Sequence, residues 1–401
     1  MPTKIILTST GLVMNKKPVL HRNAKTVLNC KNDAFKEKCL CDGITLNAGD
    51  ACAATCSYCY VEAQLNKLLS VPLNHQAHQD VVIRRTGAVD LLKSQLLNKR
   101  GQSRFPDPND SRVVYSSTLV DCAANLILAR ETAQMAVLIF ENTNWQLRLL
   151  SKFNFLPQVV GWIPKCFHHR LILGVSTGTL DNRVAAAIEK GAASVTQRIK
   201  SLHLLQDQGL RTFAMICPSL PQDDYTKFAQ DMVSALRIDR CEHVWAEVIN
   251  LRGKSFPNTM QALIDAGLTT EAFRLNRVCG PKSKPAWEEY ARATFEAEST
   301  VIPPSKLRFL QYVTAQSAAW WANKVPQGAV LLGKHAMSVL STSSAAAPGF
   351  PSAGLSIVTS TRRQAARKAW ITMRNRYSPS DITQRQRTAA AKAWQTRRHL
   401  K

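Results

Sequence analysis

Short apolar, β-branched runs alternate with longer amphipathic segments through the middle of the chain. Such runs predict strands, and we predict them at 112–118, 135–140, Leu171–Ser176, 211–217 and 243–249, with Pro218 stopping the fourth strand. Helices are predicted between and beyond them, at 121–134, 141–150, 195–205, 224–236, 286–297 and 304–322.

The helix after the third strand has the clearest period. Val195, Ile199, Leu202 and Leu205 recur at spacings of four and three, and Gly209 lies just beyond them, where a C-terminal cap belongs. Strands that alternate with helices predict βαβ units and an α/β fold on a parallel sheet. Functional side chains are therefore expected at the carboxyl ends of the strands.

Changes in composition divide the chain into five parts. We predict an N-terminal extension at 1–43, an α/β domain at 44–255 and a helical segment at 256–335. Residues 336–360 are rich in Ser, Ala, Pro and Gly, which predicts a flexible linker. Residues 361–401 form a strongly basic tail.

The charge balance favours a polyanionic partner. The 401 residues include 52 Lys and Arg against 28 Asp and Glu, a net charge of +24. No apolar run reaches the ~18 residues that span a bilayer, and the N-terminus lacks a secretory signal. We therefore expect a cytoplasmic protein without a membrane partner. Because thiols stay reduced there, the eleven cysteines indicate metal binding or chemistry more than disulfides.

The most specific motif is the stretch NAGDACAATCSYCYVE at 47–62. Cys52, Cys56 and Cys59 form a C-x3-C-x2-C pattern with small residues in most of the gaps, so three thiolates can converge on one metal centre. Three cysteines leave one iron of a four-iron cluster without a protein ligand, and an open position lets a metal bind a substrate. The alternative is a zinc site or unconnected thiols, but no second cysteine pair follows at the spacing zinc sites favour.

The triplet, with tyrosines on both sides of its last cysteine, resembles the radical S-adenosylmethionine (SAM) superfamily. Further motifs over about 44–255 resemble its spore photoproduct lyase and DNA repair photolyase-like branch. They are Val175-Ser176-Thr177, Leu180-Asp181, Ile188-Glu189-Lys190-Gly191-Ala192, Arg198-Ile199, Gln208-Gly209-Leu210, Cys217-Pro218 with Pro221, and EVINLRG at 247–253.

This resemblance implies a partial (β/α)6 barrel, followed here by the helical extension and the basic tail. It implies a [4Fe-4S] cluster on the three cysteines, whose open iron binds SAM. Reductive cleavage of SAM would then give methionine and a 5′-deoxyadenosyl radical, with electrons from a flavodoxin- or ferredoxin-like donor. The cofactor carries the chemistry, and the protein positions the reactants.

Four residues are candidates for binding SAM. Ser176 closes the third strand and could reach the ribose or carboxylate of SAM, and Arg198 could pair with the methionyl carboxylate. Glu189 could bind the ribose or the amino group, and Tyr58 could lie against the adenine. The structural alternatives are a strand-ending serine, a solvated helix arginine and a helix-terminal glutamate. Asp121 and Glu141 follow predicted strands, but acids at helix starts are common for dipole reasons.

The remaining cysteines give weaker predictions. Spore photoproduct lyase returns a hydrogen to its product radical from a cysteine, and the strand Leu171–Ser176 contains none. Candidates by position are Cys122, Cys166 and Cys217, although buried free cysteine is commonly inert. The spacing of Cys30, Cys39 and Cys41 matches no established cluster pattern.

The tail repeats. Residues 361–401 hold nine Arg and three Lys against one Asp, a net charge of +11, and one unit recurs after 24 residues. We predict two short basic helices, each with one Trp that stacks on a base or packs in a hairpin. The residues expected to bind DNA or RNA are Arg363, Lys368, Trp370, Arg374, Arg387, Lys392, Trp394 and Arg398.

The sequence thus predicts a radical SAM enzyme acting on DNA or RNA, in a lyase-type repair or modification. Two alternatives stay open. One is a radical SAM enzyme acting on a peptide or small molecule, and the other is a nucleic-acid-binding regulator that uses its cluster as a redox sensor.

Overall fold

The computed structural model describes residues 7–14, 17–251, 253–280 and 284–336. Its strands are β1 Leu7–Met14, β2 Lys17–Arg22, β3 Leu28–Asn29, β4 Ile44–Leu46, β5 Gly49–Ala51, β6 Val82–Arg85, β7 Val113–Ser116, β8 Gln146–Ser151, β9 Leu171–Ser176, β10 Thr212–Ser219, β11 Cys241–Val248, β12 Leu307–Tyr312 and β13 Ala329–Leu332. Its helices are α1 Asp33–Glu37, α2 Val61–Asn66, α3 His75–Gln79, α4 Ala88–Leu96, α5 Leu126–Asn142, α6 Leu156–Gly161, α7 Asn182–Ile188, α8 Val195–Asp207, α9 Tyr225–Leu236, α10 Ser255–Asp265, α11 Thr269–Cys279, α12 Lys284–Val301 and α13 Ala318–Ala322.

The predicted basic tail lies outside the described residues. This applies to both of its predicted helices, to all its proposed nucleic-acid contacts from Arg363 to Arg398, and to the linker after Ala336.

A nine-stranded sheet organises the fold, in the order β13-β12-β11-β10-β9-β8-β7-β4-β3. From β13 to β4 every neighbouring pair is parallel, and only β3 pairs antiparallel with β4. The predicted α/β fold on a parallel sheet is confirmed. The sheet has edges at β13 and β3. It has nine strands rather than the six expected, because β3 precedes residue 44 and β12 and β13 lie beyond residue 255.

The two faces of the sheet carry different cores. Leu147, Leu173 and Ala214 belong to the large core, which includes side chains of the surrounding helices. The opposite, inner face carries a second cluster, made of one or more residues from each of β7 to β13 together with Leu40 and Cys41. Alternation of side chains along each strand produces this division.

Strands from the first 85 residues also form a second sheet, in the order β1-β2-β6-β5. Its strand β5 presents Asp50, whose carboxylate is paired with Arg22 at 2.8 Å and with Arg85 at 2.7 Å. Because β5 leads directly into the cysteine motif, these ion pairs anchor the start of that loop.

The predicted strand at 135–140 and the predicted helix at 141–150 are wrong. Residues 126–142 form the single helix α5, which begins where the Asn125 side chain accepts hydrogen bonds from the backbone N–H groups of Ile127 and Leu128. The apolar run MAVLIF continues the helical spacing of Leu128 and Thr132, which are also buried on this helix. Residues 146–151 are instead strand β8, with both faces buried.

Two further predictions differ from the structure. Pro218 does not stop the fourth strand, because β10 continues through it to Ser219. Residues 304–322 are not one helix, since they contain β12 and the short helix α13. The helix predicted at 195–205 is confirmed as α8, which begins with a capping box between Ser194 and Gln197.

Within the described residues, no helix is both long enough and apolar enough to cross a bilayer.

Candidate cluster and cofactor site

The cysteine motif forms a loop between β5 and α2, which we call the cluster loop (52–60). The thiol-bearing residues Cys52, Cys56 and Cys59 are each partly exposed. The backbone N–H of Cys59 donates to the carbonyl of Cys56 at 3.1 Å, so the second half of the loop is a tight turn.

The cluster loop is held by the segment that joins α7 to α8. The backbone N–H of Ser57 donates to the carbonyl of Ile188 at 2.8 Å, and that of Gly191 donates to the carbonyl of Ala54 at 3.0 Å. A Cβ on Gly191 would lie 1.7 Å from the carbonyl oxygen of Ala53, which no side chain permits. Glycine at 191 therefore allows the two backbones to meet.

The three thiols fit an iron–sulfur cluster in their chemistry. Burial raises the pKa of Cys52, raises that of Cys56 well above its ordinary value, and raises that of Cys59 to about 12. Neighbouring cysteine charges also raise the pKa of Cys56 and Cys59. Without a cation these thiols stay protonated, so binding a metal must release protons.

The described residues contain no group of three or more His, Cys, Asp or Glu side chains arranged to hold a metal ion. Three thiolates on one centre therefore require the side chains of the cluster loop to turn toward it. The loop supplies the three thiol ligands, and we expect metal binding to draw their sulfur atoms together.

A buried ion-pair network lies beside the cluster loop. Glu189 follows α7 and forms an isolated bridge with Cys56 across the two backbones. Its carboxylate pairs with Arg198 on α8 at 2.5 Å and with Lys152 at 2.8 Å. It also accepts a hydrogen bond from the hydroxyl of Tyr58.

Lys152 joins this network to the strand ends. It directly follows β8, and its ammonium donates to the Ser176 hydroxyl at 2.8 Å and to the carbonyl of Cys217 at 3.2 Å. It also lies 5.5 Å from the centre of the Tyr58 ring. The structure thus connects all four predicted SAM-binding residues through Lys152 and Glu189.

The network keeps Glu189 ionised. Burial acts to raise the pKa of this carboxyl, but the charges of Lys152 and Arg198 and the hydrogen bonds from Lys152 and Tyr58 outweigh it, and the pKa falls below its ordinary value.

Arg198 is enclosed rather than open to a ligand. Its side chain is 1% exposed. Besides Glu189, it donates to the carbonyl of Ala193 at 2.8 Å and to that of Ser176 at 3.0 Å. Lys152, with a side chain 15% exposed, is the cation of this network nearer to solvent.

Lys152 is not among the predicted site residues, because the sequence predicts a helix over residues 141–150 that ends just before it. A correctly assigned strand ending at Ser151 would have put a lysine at the functional edge of the sheet. Asp121 supports this edge, since its carboxylate accepts hydrogen bonds from the Ser151 hydroxyl and the Lys152 backbone, both at 2.7 Å. Glu141 is exposed on α5.

The three cysteines named by position differ in their surroundings. Cys122 is buried, and its thiol donates to the carbonyl of Leu150 at 3.4 Å. Cys166 is exposed on the 3-10 turn Lys165–Arg170. This turn precedes β9, so Cys166 lies at the amino end of the strand, whereas Ser176 lies at its carboxyl end. Cys217 lies near the carboxyl end of β10, with its sulfur 4.0 Å from Oε2 of Glu247.

The N-terminal cysteines do not share one environment. Cys41 is buried in the inner-face core, whereas Cys30 and Cys39 are exposed.

No protein-family model and no curated protein matches this chain. Solved structures are similar to it at low identity. Spore photoproduct lyase complexed with dinucleoside spore photoproduct shares 9% identity over 66% of this chain and 80% of that chain, with a TM-score of 0.42. A mutant of the same enzyme shares 11% over 68% and 77%, with a TM-score of 0.43. Native anSMEcpe with bound AdoMet and the Cp18Cys peptide shares 11% over 57% and 61%, with a TM-score of 0.32.

Proposed function

We propose that this protein is a radical SAM enzyme that acts on DNA or RNA. The observation that carries the proposal is the position of the C-x3-C-x2-C loop. It lies against the Lys152–Glu189–Ser176 network, at the carboxyl ends of neighbouring parallel strands. The net charge of +24 supports a nucleic-acid substrate.

In this proposal Cys52, Cys56 and Cys59 hold a [4Fe-4S] cluster. When bound, the cluster supplies the electron for reductive cleavage of SAM, and it receives that electron from a flavodoxin- or ferredoxin-like partner. The remaining chemistry of the site is binding and orientation, which this chain's own side chains provide.

The network offers matched groups for the amino-acid part of SAM. Lys152 is a cation on the more exposed side of the network and suits the methionyl carboxylate. Glu189 is an ionised acid that suits an ammonium or a ribose hydroxyl, and Ser176 adds a hydroxyl. Arg198 is buried and pairs with the Glu189 carboxylate, so it orients Glu189 and does not contact SAM itself. Tyr58 supplies a ring for the adenine.

Cys217 is the cysteine that we propose as a hydrogen source for a product radical. Transfer would break its S–H bond, form a C–H bond on the product and leave a thiyl radical. Burial, followed by the charge of Glu247, raises the pKa of Cys217 to about 12, so the sulfur keeps its hydrogen at neutral pH.

The cluster is tested by anaerobic reconstitution of the full chain. We expect about four irons per chain and reductive conversion of SAM to 5′-deoxyadenosine. Replacing Cys52, Cys56 or Cys59 with Ala should abolish both, while Cys30→Ala, at an exposed cysteine, should change neither. One zinc and no iron in native protein would contradict the proposal. A loaded cluster without SAM cleavage would favour the redox-sensing regulator.

SAM binding is tested separately from iron content. Lys152→Met should weaken SAM affinity by about 1.5–3 kcal/mol, the value of one charge-assisted contact, with iron content retained. The matched control is Lys190→Met, which removes an exposed lysine next to Glu189. Ser176→Ala should weaken SAM affinity by a smaller amount. Unchanged affinity in both Lys152→Met and Ser176→Ala would assign the network to structure alone.

A further inference from the structure

The N-terminal segment 33–43 enters the inner face of the main sheet. Leu40 and Cys41 belong to the same buried cluster as Trp245 and Phe213 from the strands. Arg148 of β8 donates to the carbonyl of Leu40, and the indole N–H of Trp245 donates to the carbonyl of Lys38 at 2.9 Å. Backbone carbonyls of the segment are therefore fixed by side chains that point inward from the sheet.

This arrangement places the Lys38 ammonium near the carboxyl ends of the parallel strands. The Lys38 ammonium lies 3.8 Å from Oε2 of Glu247, which is the penultimate residue of β11. It also lies 5.7 Å from the centre of the Tyr312 ring, at the end of β12. The Lys38 and Glu247 side chains are 20% and 18% exposed, so the pair is reachable from solvent. Burial acts to lower the pKa of Lys38, but Glu247 and Tyr312 outweigh it, and Lys38 stays charged.

One residue links this pair to the network beside the cluster loop. The Cys217 sulfur lies 4.0 Å from the same Glu247 oxygen, while the Cys217 carbonyl accepts from Lys152 at 3.2 Å and from Ser176 at 3.3 Å. A group held by Lys38 and Glu247 would therefore lie close to Cys217, which also contacts the proposed SAM site.

We propose that Lys38 and Glu247 are the specificity-determining pair for the substrate, which they bind through a neutral amide or imide edge. This rests on the proposed function for its setting. The Lys38 ammonium lies 3.8 Å from the Glu247 carboxylate and is hydrogen-bonded to the side chain of Tyr312. An ammonium has three N–H donors, so a further donor can still meet a carbonyl. The carboxylate can accept from the N–H beside that carbonyl. A ligand with a single net charge would be repelled by one member of the pair.

The test uses two nucleosides that differ at one hydrogen-bond donor. Uridine carries a ring N–H between two carbonyls, and 3-methyluridine lacks that N–H. Their dissociation constants are measured by calorimetry on the full chain without SAM, so the result does not depend on SAM cleavage. The wild-type protein should bind uridine about tenfold more tightly than 3-methyluridine, because in 3-methyluridine a methyl group replaces the N–H that would donate to the Glu247 carboxylate.

The variants separate Lys38 from the rest of its segment. Lys38→Met should weaken uridine binding about tenfold, and Lys38→Arg, which keeps a donor cation, should restore most of it. Lys36→Met, an exposed lysine of the same segment, should bind like wild type. The Trp245 hydrogen bond meets the backbone of residue 38, so it survives both substitutions, and an unchanged Tm will confirm folding. The proposal is overturned if Lys38→Met binds uridine as tightly as wild type. It is also overturned if wild type fails to distinguish, or to bind, the two nucleosides.

Discussion

Glu298 on α12 is a carboxyl group buried without a partner, and replacing it should change how stability depends on pH. Its side chain is fully buried, and neither carboxylate oxygen has a hydrogen-bond partner. Burial alone raises its pKa from 4.5 to about 8. The folded protein therefore keeps this proton at pH values where the unfolded chain has lost it.

The sign and size follow from linkage. Because the folded state keeps the Glu298 proton longer than the unfolded state does, Glu298 costs the folded protein no stability below about pH 4.5. Its contribution to the free energy of unfolding then falls as the pH rises toward about 8. At about 1.4 kcal/mol per pH unit, Glu298 should cost the folded state about 3 kcal/mol between pH 5 and pH 7. Glu298→Gln is neutral at every pH and should lack this slope. At pH 7 the variant should be more stable than wild type by about 3 kcal/mol.

Urea unfolding followed by tryptophan fluorescence at pH 5, 6 and 7 measures this difference. Glu296→Gln is the matched control on the same helix, because the Glu296 side chain is 58% exposed and lies 3.9 Å from Lys324. The control should follow the wild-type pH dependence within about 0.5 kcal/mol. Parallel pH profiles for wild type and Glu298→Gln would refute the reasoning, since they would mean that Glu298 has the same pKa in both states.

Three other predictions address the cluster loop and the tail. Gly191→Ala should lower the iron content, because its Cβ would collide with the backbone of the cluster loop. The control Gly161→Ala has no atom within 4 Å of its Cβ position and should retain iron. Equal iron content in the two variants would contradict the close contact at Gly191. Truncation before Thr361 should preserve iron content and SAM cleavage while weakening DNA or RNA binding and flattening its salt dependence, because phosphate contacts set that slope; unchanged binding at every salt concentration would leave the tail without this role. If Trp370 and Trp394 stack on bases, replacing both with Ala should weaken single-stranded binding by ~1–3 kcal/mol per stacked base with the salt slope retained, as filter binding across a salt series would measure. If they pack in a hairpin, the same change should instead lower the helicity of the isolated tail.

Elements with one strong local pattern were predictable. The helix of Val195–Asp207 and the strand Leu171–Ser176 each show a clear period or an apolar run with clear ends, and both are present. The run at 135–140 was assigned to the wrong element because a short apolar stretch fits a strand and a buried helix equally. The buried face of α5 settles it, since the run is the last part of a longer helical period.

The sequence by itself determined features that are encoded locally. These are the three cysteines on one loop, the concentrated basic tail and the alternation of strands and helices that predicts a parallel α/β fold. Spacing along the chain carries such information because the residues concerned are neighbours. Only the tertiary structure brought Lys152 to Ser176 and Glu189, and Lys38 to Glu247. These partners are separated by 24 to more than 200 residues, and their meeting depends on which strands become neighbours in the sheet and which segment fills its inner face. Sheet order and packing set these contacts, and no local period encodes them.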